Sequence, residues 1–531
     1  MKKILILGAG LMQKPAILAA KKLGVESVVV DANPNALCAP MADRFEPIDL
    51  KDREALVKLA RSLGGDLSGV FTAGTDFSSS VSYVAEKLGL SAHPFQSALN
   101  ASDKVRMRTC FKKKNVPSPH FKEVSRSEID SFCKESSVGG GHFPLVVKPC
   151  DNMGGRGCRL VRTKDELFSA LSLAVKNSRT ARAICEDFME GDEYSIDAIV
   201  FDGTLTITGF ADRHVYFPPY FIEMGHSLPS KVSEKIKNEL IATFALGIKA
   251  LGLNRGVAKA DIKYTKNGPM IGEIAARLSG GYMSGWTFPY ASGIDLTCEA
   301  MKIALNLPPD EIISKRESIP WQPHESVLGA ESPFKIYEIK TNLFSAERAW
   351  ISIPGKIKSI EGLDLARTAY GVRDVLPRAK EGDEVDFPRN NVEKCGNIIA
   401  VALSREEAKK GAEEAVSRVV LRLCPKNAQT ERFLHFQKNA DEDDFPPCAF
   451  DISEEEPCPF PETVLSSHEI APFIPEQLGS KVDWNHRSLK KSAELFDSLA
   501  KNHGELSGKK LWTALIRGGL QGALYVSDSE E

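Results

Sequence analysis

Two acidic residues on neighbouring predicted strands, Asp261 and Glu273, have the spacing of a metal site. The segment GVAKADIKYTKNGPMIGEIAARLSGGY, residues 256–282, contains two β-rich runs joined by the turn signal KNG. Such a hairpin sets the two acids opposite each other on one face, where their charges repel unless a cation lies between them. Hard oxygen ligands favour Mg²⁺, and Arg277 would lie beside any anion that the metal holds. A solvated sheet face without a ligand is the alternative.

A lysine and a glycine-rich loop lie upstream, in FPLVVKPCDNMGGRGCRLV at residues 143–161. Lys148 ends an apolar run, and Gly154, Gly155 and Gly157 precede the next one. A hairpin of this kind can fold backbone amides and one ammonium over a polyphosphate. A solvated hairpin with a surface lysine is the alternative, although burying an ammonium costs several kcal/mol unless an anion meets it.

An acidic turn follows in ICEDFMEGDEYSID, residues 184–197, with Glu186 and Glu193 at its two ends. Acidic side chains there could accept hydrogen bonds from an adenine amine and from ribose hydroxyls, while the turn backbone bonds to the base. An exposed polar turn explains the same residues equally well.

The N-terminal fragment ILILGAGLMQKPA points to a different cofactor. Gly8 and Gly10 match the start of a dinucleotide fingerprint, and Asp31 ends the next β-rich run, where it could hold a ribose. However, Gln13 takes the third glycine position, and Asp31 in DANP also caps a turn, which is the interpretation we favour. A nicotinamide-dependent oxidoreductase therefore explains this fragment alone.

The elements that must position these residues change in character along the chain. Residues 1–90 alternate β-rich runs with helical periodicity, which predicts βαβ units on a parallel sheet. The basic segment NASDKVRMRTCFKKKNVPSP predicts a helix capped by Ser102 and ended by Asn115. Strands dominate from Leu145 to about residue 276, with one long helix between about residues 230 and 251.

The C-terminal third is β-rich between about residues 320 and 425 and closes with the helix-like SREEAKKGAEEAVSRVVLRL. The acidic, proline-rich stretch at residues 439–462 predicts an extended linker or a wrap-around arm. One amphipathic helix follows in RSLKKSAELFDSLAKNHG. No chemistry is assigned to this tail.

The length, composition and charge of the chain limit the classes of protein to which it can belong. A chain of 531 residues with 42% hydrophobic and 26% charged residues is typical of a globular protein of about three domains. A net charge of −3 does not favour nucleic acid or an acidic membrane as a partner. The start lacks a signal-peptide core, and no apolar run approaches membrane-spanning length. Eleven scattered cysteines indicate neither zinc nor disulfides, so a cytoplasmic protein is expected.

Taken in order, the motifs resemble the ATP-grasp superfamily, ligases that include D-alanine–D-alanine ligase, biotin carboxylase and the L-amino-acid ligases. The resemblance covers residues 1 to about 425 and is specific because all the motifs occur together. It implies a multidomain protein of mixed α/β and α+β class. The implied domains are a Rossmann-like pre-ATP-grasp domain at 1–100, an ATP-grasp domain with the nucleotide and metal site at 101–310, a small β-rich domain at 311–425, and an acidic proline-rich arm and helix of unknown role at 426–531.

The resemblance also assigns roles to residues. It implies ATP as co-substrate, Mg²⁺ or Mn²⁺ held by Asp261 and Glu273, and Arg277 and Lys148 as catalytic residues. The implied ATP-binding residues are Lys104, Lys148, Gly154, Gly155, Gly157, Glu186, Met189 and Glu193. The implied substrate residues are Glu223, His226, Arg277 and Gly280. One departure is Ala275, where many members have asparagine, so one metal ligand is missing or is supplied by both oxygens of Glu273.

The segments EIAARLSGG and YFIEMGHSLPS are similar to those of the L-amino-acid ligase and carbamoyl-phosphate-synthase-like branch. This implies a ligase that joins a small-molecule carboxylate to an amine through an acyl phosphate, with amino acids as substrates and no nucleic-acid or membrane partner; a homodimer is left open. Two alternatives remain. One is a non-catalytic nucleotide-binding regulatory or scaffold protein, suggested by Ala275 and the acidic tail, and the other is the oxidoreductase.

Overall fold

The computed structural model describes residues 2–135, 143–435, 445–453, 456–465, 469–500 and 505–529. The chain divides into two compact units. The first unit comprises Met1–His214 and His226–Ser345, and the second comprises Val215–Gly225 and Ala346–Glu531. Within the described residues, no helix combines the length and the apolar character needed to cross a membrane.

The first unit begins with four parallel strands in the order β3-β2-β1-β4. The elements are β1 (Lys3–Leu7), α1 (Lys14–Lys22), β2 (Glu26–Val30), β3 (Arg44–Glu46), α2 (Arg53–Ser62), β4 (Leu67–Phe71) and α3 (Ser78–Leu88). The apolar residues of β1 and β2 are fully buried, as expected for a parallel sheet covered on both faces. The prediction of βαβ units is confirmed.

Asp31, at the end of β2, caps a turn. Its Oδ1 accepts a hydrogen bond from the Asn33 amide at 2.9 Å, and its Oδ2 accepts one from the Ala9 amide at 2.9 Å. The contact with Asn33 closes the turn, which confirms the turn interpretation, and the contact with Ala9 ties the turn to the loop after β1.

Gln13 is fully buried between the loops that follow β1 and β4. Its Oε1 accepts from the Ala73 amide at 2.9 Å, and its Nε2 donates to the hydroxyls of Thr72 and Thr75, each at 3.3 Å. Gly8 has a φ of +104°, and a Cβ there would lie 3.2 Å from the Gln13 side chain. The side chain that breaks the dinucleotide fingerprint thus ties two loops together.

A smaller antiparallel sheet follows in the order β5-β8-β6-β7. Its segment contains α4 (Phe95–Ser102), α5 (Lys104–Lys113), β5 (Phe121–Ser125), α6 (Ile129–Glu135), β6 (Leu145–Pro149), β7 (Arg159–Val161), α7 (Lys164–Asn177) and β8 (Arg182–Asp187). The predicted cap Ser102 is wrong. Ser102 ends α4, and the Asp103 carboxylate caps α5 by accepting from the Arg106 amide at 3.0 Å. Serine and aspartate cap helices equally well, so adjacent candidates cannot be separated by residue type.

A larger sheet follows, of which residues 215–225 are assigned to the second unit. The elements are β9 (Asp192–Phe201), β10 (Thr204–Tyr216), β11 (Ile222–Leu228), α8 (Glu234–Leu251), β12 (Gly256–Thr265), β13 (Gly268–Ala275), α9 (Phe288–Ser292), α10 (Leu296–Ala304), α11 (Asp310–Lys315), β14 (Glu317–Ser318) and β15 (Lys335–Glu338). Strands β13, β12, β9 and β10 are consecutive neighbours. The predicted long helix is α8, whose apolar face packs on β12 and β13 through Phe244, Ile262 and Ile274.

The second unit contains the remaining elements. They are β16 (Phe344–Trp350), β17 (Gly355–Glu361), α12 (Leu363–Arg367), β18 (Val372–Pro377), β19 (Glu384–Val385), β20 (Gly396–Ala402), α13 (Arg405–Ser417), β21 (Val420–Leu423), α14 (Ala428–Leu434), β22 (Thr463–Leu465), α15 (Glu476–Gly479), α16 (Leu489–Leu499), β23 (Glu505–Ser507) and α17 (Gly508–Ser529). The helix predicted over residues 404–423 ends at Ser417. Its last residues form the buried strand β21, which pairs with β17 because β-branched residues replace the helical pattern there.

The described part of the proline-rich stretch is packed rather than solvated. Phe450, Ile452 and Phe460 are buried in a core that includes Trp512 of α17. The amphipathic pattern predicted α16 in this tail, and no pattern indicated α17. Residues 439–444 and 454–455 of the stretch lie outside the described residues.

Arg422 of β21 and Asp528 of α17 form a buried ion pair in the second unit. The Arg422 guanidinium donates to both Asp528 oxygens, at 2.8 and 3.0 Å, and to the Leu499 carbonyl at 2.6 Å. We expect Asp528→Ala to lower the free energy of unfolding by about 1.5 to 3 kcal/mol, since it removes one of the two carboxylates that pair with the buried Arg422 guanidinium, Glu361 at 3.0 Å being the other. Urea denaturation measures this.

The matched control is Asp364→Ala, which breaks the exposed pair between Asp364 and Arg367. We expect a loss of about 1 kcal/mol or less, as for other surface ion pairs. Equal losses in both variants would show that the Asp528 pair does not stabilise the C-terminal helix as proposed.

Candidate nucleotide and metal site

Lys148 and Glu186 form the buried centre of the smaller sheet. Lys148 Nζ lies 2.8 Å from Glu186 Oε2, and Arg108 Nε of helix α5 donates to Glu186 Oε1 at 2.7 Å. Arg108 also donates to the Gly272 carbonyl at 2.6 Å. Burial would raise the pKa of Glu186, but the two cations lower it to about 2. Burial likewise would lower the pKa of Lys148, and the Glu186 carboxylate raises it above its ordinary value. Both groups are therefore charged at neutral pH.

This arrangement gives Glu186 a structural role that the sequence analysis did not predict. Its carboxylate is 1% exposed, and both oxygens are already paired. Lys148 keeps 19% of its side chain exposed and has three donors. Glu186 thus fixes Lys148 with ammonium protons left for an anion, while hydrogen bonding of Glu186 to adenine stays a prediction.

The glycine-rich loop between β6 and β7 has the predicted hairpin form. Gly154, Gly155 and Gly157 have φ values of +69°, +75° and +68°, in the left-handed region that favours glycine. A Cβ on Gly157 would lie 2.8 Å from the Asn177 side chain, so no larger residue fits. The side-chain Nδ2 of Asn152 donates to the Asn177 carbonyl at 2.7 Å and holds the start of the loop on α7.

Lys104, the first residue of α5, joins this loop to the larger sheet. Its Nζ donates to the Asn152 carbonyl at 2.8 Å and lies 3.8 Å from Glu273 Oε2. Its backbone amide donates to the Cys150 carbonyl at 2.9 Å. The structure therefore places both predicted nucleotide lysines, Lys104 and Lys148, around one loop.

Asp261 and Glu273 are directly opposed in the register of β12 and β13, as predicted. Each carboxylate faces cations: Asp261 pairs with Lys259 and lies 3.5 Å from Arg213, and Glu273 lies near Lys104. Burial would raise the pKa of Glu273, and the nearby lysines hold it below its ordinary value against the repulsion of Asp261.

The donor set fits magnesium bound together with a nucleotide. The described residues contain no cluster of three or more acidic, histidine or cysteine side chains that could hold a metal. Mg²⁺ needs only one or two carboxylates when phosphate oxygens and water complete its shell, so Asp261 and Glu273 suffice. Ala275 is buried opposite Lys259 and offers no ligand.

Glu193 of β9 and His226 of β11 lie near Asp261. Glu193 pairs with Arg213 of β10 and lies 3.5 Å from Lys263 of β12. His226 is 1% exposed, with its Nε2 3.4 Å from Ser195 Oγ, and Ser195 donates to Asp261 at 2.9 Å. The structure therefore connects His226 to the proposed metal ligand through a single hydroxyl.

Arg277 follows β13 and is 7% exposed. Its Nη1 donates to the Leu278 carbonyl at 2.9 Å, and its Nε has no hydrogen-bond partner among the described residues. Gly280 packs backbone to backbone against Gly74 of the N-terminal sheet, since a Cβ on Gly280 would lie 3.0 Å from the Gly74 carbonyl oxygen. The proposed substrate loop is thus in direct contact with the loop after β4.

Asp76, in the loop after β4, is a site residue that was not predicted from the sequence. Burial raises the pKa of its carboxyl, opposed by the charges of Arg277 and Lys104 and reinforced by Glu273. The segment TAGTD, residues 72–76, carries the signal, because polar residues at the carboxyl end of a parallel strand commonly line a ligand crevice.

The remaining predicted residues are placed as follows. Met189 lies between β8 and β9, with its side chain next to Gly272. Glu223 belongs to the second unit, where its backbone amide donates to Asn391 at 2.7 Å and its carbonyl accepts from Lys394 at 2.6 Å. Its assignment to the substrate stays a prediction.

Comparison with known proteins supports the resemblance. Residues 141–285 match the ATP-grasp domain, residues 1–66 the ribonucleotide synthetase preATP-grasp domain, and residues 349–423 the L-amino acid ligase C-terminal domain 2. Carnosine synthase 1 of Gallus gallus is 24% identical over 332 residues, which cover 58% of this chain and 36% of that protein. Alanine–anticapsin ligase of Bacillus subtilis is 28% identical over 253 residues, which cover 43% of this chain and 52% of that protein.

The L-amino acid ligase from Bacillus licheniformis has the same fold. Its crystal structure aligns with a TM-score of 0.65 at 20% identity, over 80% of this chain and 99% of that one. The chain spans about a third to a half of the two named curated relatives. The matched domains follow one another in the expected order, and the lysines, glycine loop and paired acids occupy one unit. The chain thus carries an ATP-grasp domain between a segment that matches a preATP-grasp domain and one that matches an L-amino acid ligase C-terminal domain.

Proposed function

We propose that this chain activates a carboxylate with ATP and joins it to an amine, with amino acids as the substrate class. The observation that carries the proposal is the meeting of Lys104, Glu273 and the glycine-rich loop, where Lys104 contacts both the loop and the acid. One face of the sheet thus offers ammonium donors and carboxylates, which a nucleotide triphosphate with its divalent cation requires. The similarity to L-amino acid ligase and carnosine synthase supports amino-acid substrates.

The first half-reaction is carboxylate phosphorylation. A carboxylate oxygen of the substrate attacks the γ-phosphorus, the bond to the β-phosphate oxygen breaks, and ADP leaves. Lys104 and Lys148 hold the phosphates, and Arg277 stabilises the charge on the transferring group. Mg²⁺ bound by Asp261 and Glu273 would supply further neutralisation of phosphate charge.

The second half-reaction forms the amide. The amine nitrogen attacks the acyl carbon, inorganic phosphate leaves, and the amine loses a proton. His226 is placed to orient the amine, since it lies beside Ser195 near the proposed metal ligands. The backbone of residues 152–157 would cover the phosphates and exclude water that would otherwise hydrolyse the acyl phosphate.

The function predicts a specific pattern of ligand response. We expect Mg·ATP to raise the melting temperature of the protein and NADH to leave it unchanged. We also expect phosphate release above background when Mg·ATP is combined with a pool of amino acids, with the amide products identified by mass spectrometry.

The opposite outcomes are equally informative. Stabilisation by NADH without stabilisation by Mg·ATP would contradict the ligase and favour an oxidoreductase. Stabilisation by Mg·ATP without phosphate release from any pool of amino acids would favour the non-catalytic nucleotide-binding protein that Ala275 suggests.

A further inference from the structure

Asp197 on strand β9 is a buried carboxylate for which the reaction described above has no use. It is 1% exposed and lies two residues from Ser195, on the same face of the strand. Its register partner on β12 is Lys259. A buried carboxylate lowers the stability of the fold unless its contacts compensate for the lost hydration. The contacts of Asp197 therefore indicate its role next to the substrate loop.

Asp197 is linked to the segment after β13 through one hydroxyl. Ser284 Oγ donates to Asp197 Oδ2, and the same Oγ accepts a hydrogen bond from the Ser279 backbone amide at 2.8 Å. A serine hydroxyl has a single proton. The carboxylate takes that proton and leaves the hydroxyl lone pairs for Ser279, so the acid determines which way the hydroxyl points.

The anchored segment is strained and needs such a contact. Tyr282 has a φ of +62°, a left-handed conformation that costs about 1 to 3 kcal/mol for a residue with a side chain. The segment begins at Arg277, whose guanidinium donates to the Leu278 carbonyl, and it includes Gly280. Holding Ser279 therefore holds the backbone on which Arg277 and Gly280 depend.

The side chains that face Asp197 include the cations of Lys259 and Arg277. Lys259 faces it from β12, Arg277 from the segment itself and His226 from β11. Burial raises the pKa of Asp197 to about 6, and Ser284, Lys259 and Arg277 oppose that rise. Asp197 Oδ1 and Arg277 Nε both have no hydrogen-bond partner among the described side chains. Asp197 thus supplies negative charge beside Arg277 without a direct bond to it.

We infer that Asp197 is a positioning residue that holds the segment Arg277–Ser284 in its substrate-binding conformation through the hydroxyl of Ser284. The inference rests on the proposed function, since it takes Arg277 and Gly280 to face the carboxylate substrate. Loss of the contact lets the segment relax, which displaces Arg277 and affects the carboxylate substrate more than the nucleotide.

The test compares Ser284→Ala, Asp197→Ala and Asp197→Asn with the wild type. We expect Ser284→Ala and Asp197→Ala to raise KM for the carboxylate substrate and lower kcat, for a combined loss of about a hundredfold in kcat/KM, with KM for ATP changed by about twofold or less. Asp197→Asn retains an acceptor for the Ser284 hydroxyl, so most of the activity is retained. The double alanine variant is no worse than either single variant, because both remove one contact.

A second measurement does not depend on turnover. Amide hydrogen exchange of residues 277–284 becomes at least about tenfold faster in Ser284→Ala and Asp197→Ala. The control is Ser292→Ala, which removes a buried hydroxyl that donates to the Phe288 carbonyl and leaves Ser284 untouched. It leaves both the exchange of residues 277–284 and the KM values unchanged.

The outcomes separate this inference from the proposed function. If the wild type shows no turnover, the proposed function fails, and the exchange data still report on the anchor. Unchanged exchange in a folded Ser284→Ala variant overturns the inference, as does an increase in KM for ATP equal to that for the carboxylate substrate. Loss of activity in Asp197→Asn equal to that in Asp197→Ala would also overturn it, because charge rather than the Ser284 contact would then be the cause.

Discussion

Replacing Glu273 by alanine is expected to reduce ADP formation by about a thousandfold or more while the protein remains folded. Glu273 is one of only two opposed carboxylates, and Ala275 supplies no further ligand. Its removal leaves Asp261 alone to hold the divalent cation, so the phosphates lose most of their neutralisation. The measurement is ADP release under saturating Mg·ATP and amino acids.

The fold should tolerate this change. The Glu273 side chain is 32% exposed and lies 3.8 Å from Lys104, so its removal breaks no short ion pair and relieves repulsion by Asp261. We expect a change of about 1 kcal/mol or less in the free energy of unfolding. The control is Glu338→Ala, on β15 of the same sheet, where the glutamate pairs with Lys237 at 2.9 Å. Substantial residual turnover in Glu273→Ala would remove Glu273 from the metal site.

The second large effect concerns Glu186. Glu186→Gln leaves the charges of Arg108 and Lys148 buried without their carboxylate, and we expect the free energy of unfolding to fall by about 3 to 5 kcal/mol. The exposed pair of Arg182 with Glu123, in the same sheet, is the control, and Glu123→Gln should cost about 1 kcal/mol or less. Equal losses in the two variants would contradict the role of Glu186 as counterion.

The pH dependence of stability is a second test that distinguishes Glu186→Gln from the wild type. The pKa of Glu186 is lowered in the folded protein to about 2, so its contribution is complete above the ordinary glutamate pKa of about 4.5 and is lost as the pH falls towards 2. The shift corresponds to about 3 kcal/mol. We expect the urea midpoint of the wild type to fall between pH 5 and 3 more steeply than that of Glu186→Gln.

The Lys148→Met variant separates two roles of Lys148, stabilisation of the fold and binding of the nucleotide. It leaves the Arg108–Glu186 pair in place, so the loss of stability should be smaller than for Glu186→Gln. Titration calorimetry should show Mg·ATP binding weakened by at least about tenfold. Unchanged affinity would mean that Lys148 serves only the buried ion-pair cluster.

Local sequence patterns predicted the parts of the site that local structure determines. The KNG turn predicted a hairpin with Asp261 opposite Glu273. The observed turn has two residues and alone would pair Asp261 with Gly272, and a register shift between Asp261 and Ile262 brings Glu273 opposite Asp261 instead. The glycines of the phosphate loop were also predicted from a local pattern, since their left-handed backbone conformation favours glycine. The Arg108–Glu186 pair could not be predicted, because the partners lie 78 residues apart and arginine on a basic helix gives no sign of burial.

Other differences also arise from packing that the local sequence does not reveal. Ser102 and Asp103 are both good capping residues, and only the packed end of α4 decides between them. Asp76 follows strand β4 in the loop that also contains Gly74, and the contact of Gly74 with Gly280 brings this loop to the site. Helix α17 has buried residues all round, including two glycines at its kink, and so lacks the periodicity that identified α16.

The backbone contact between Gly74 and Gly280 has a consequence for engineering. A Cβ on Gly280 would lie 3.0 Å from the Gly74 carbonyl oxygen, and a Cβ on Gly74 would lie 3.1 Å from the Gly280 Cα, so a side chain in either loop requires the other loop to shift. Substrate preference therefore cannot be transferred between relatives by grafting the segment after β13 alone. A productive chimera would need to exchange both loops as one cassette, together with Gln13, which ties the loop carrying Gly74 to β1.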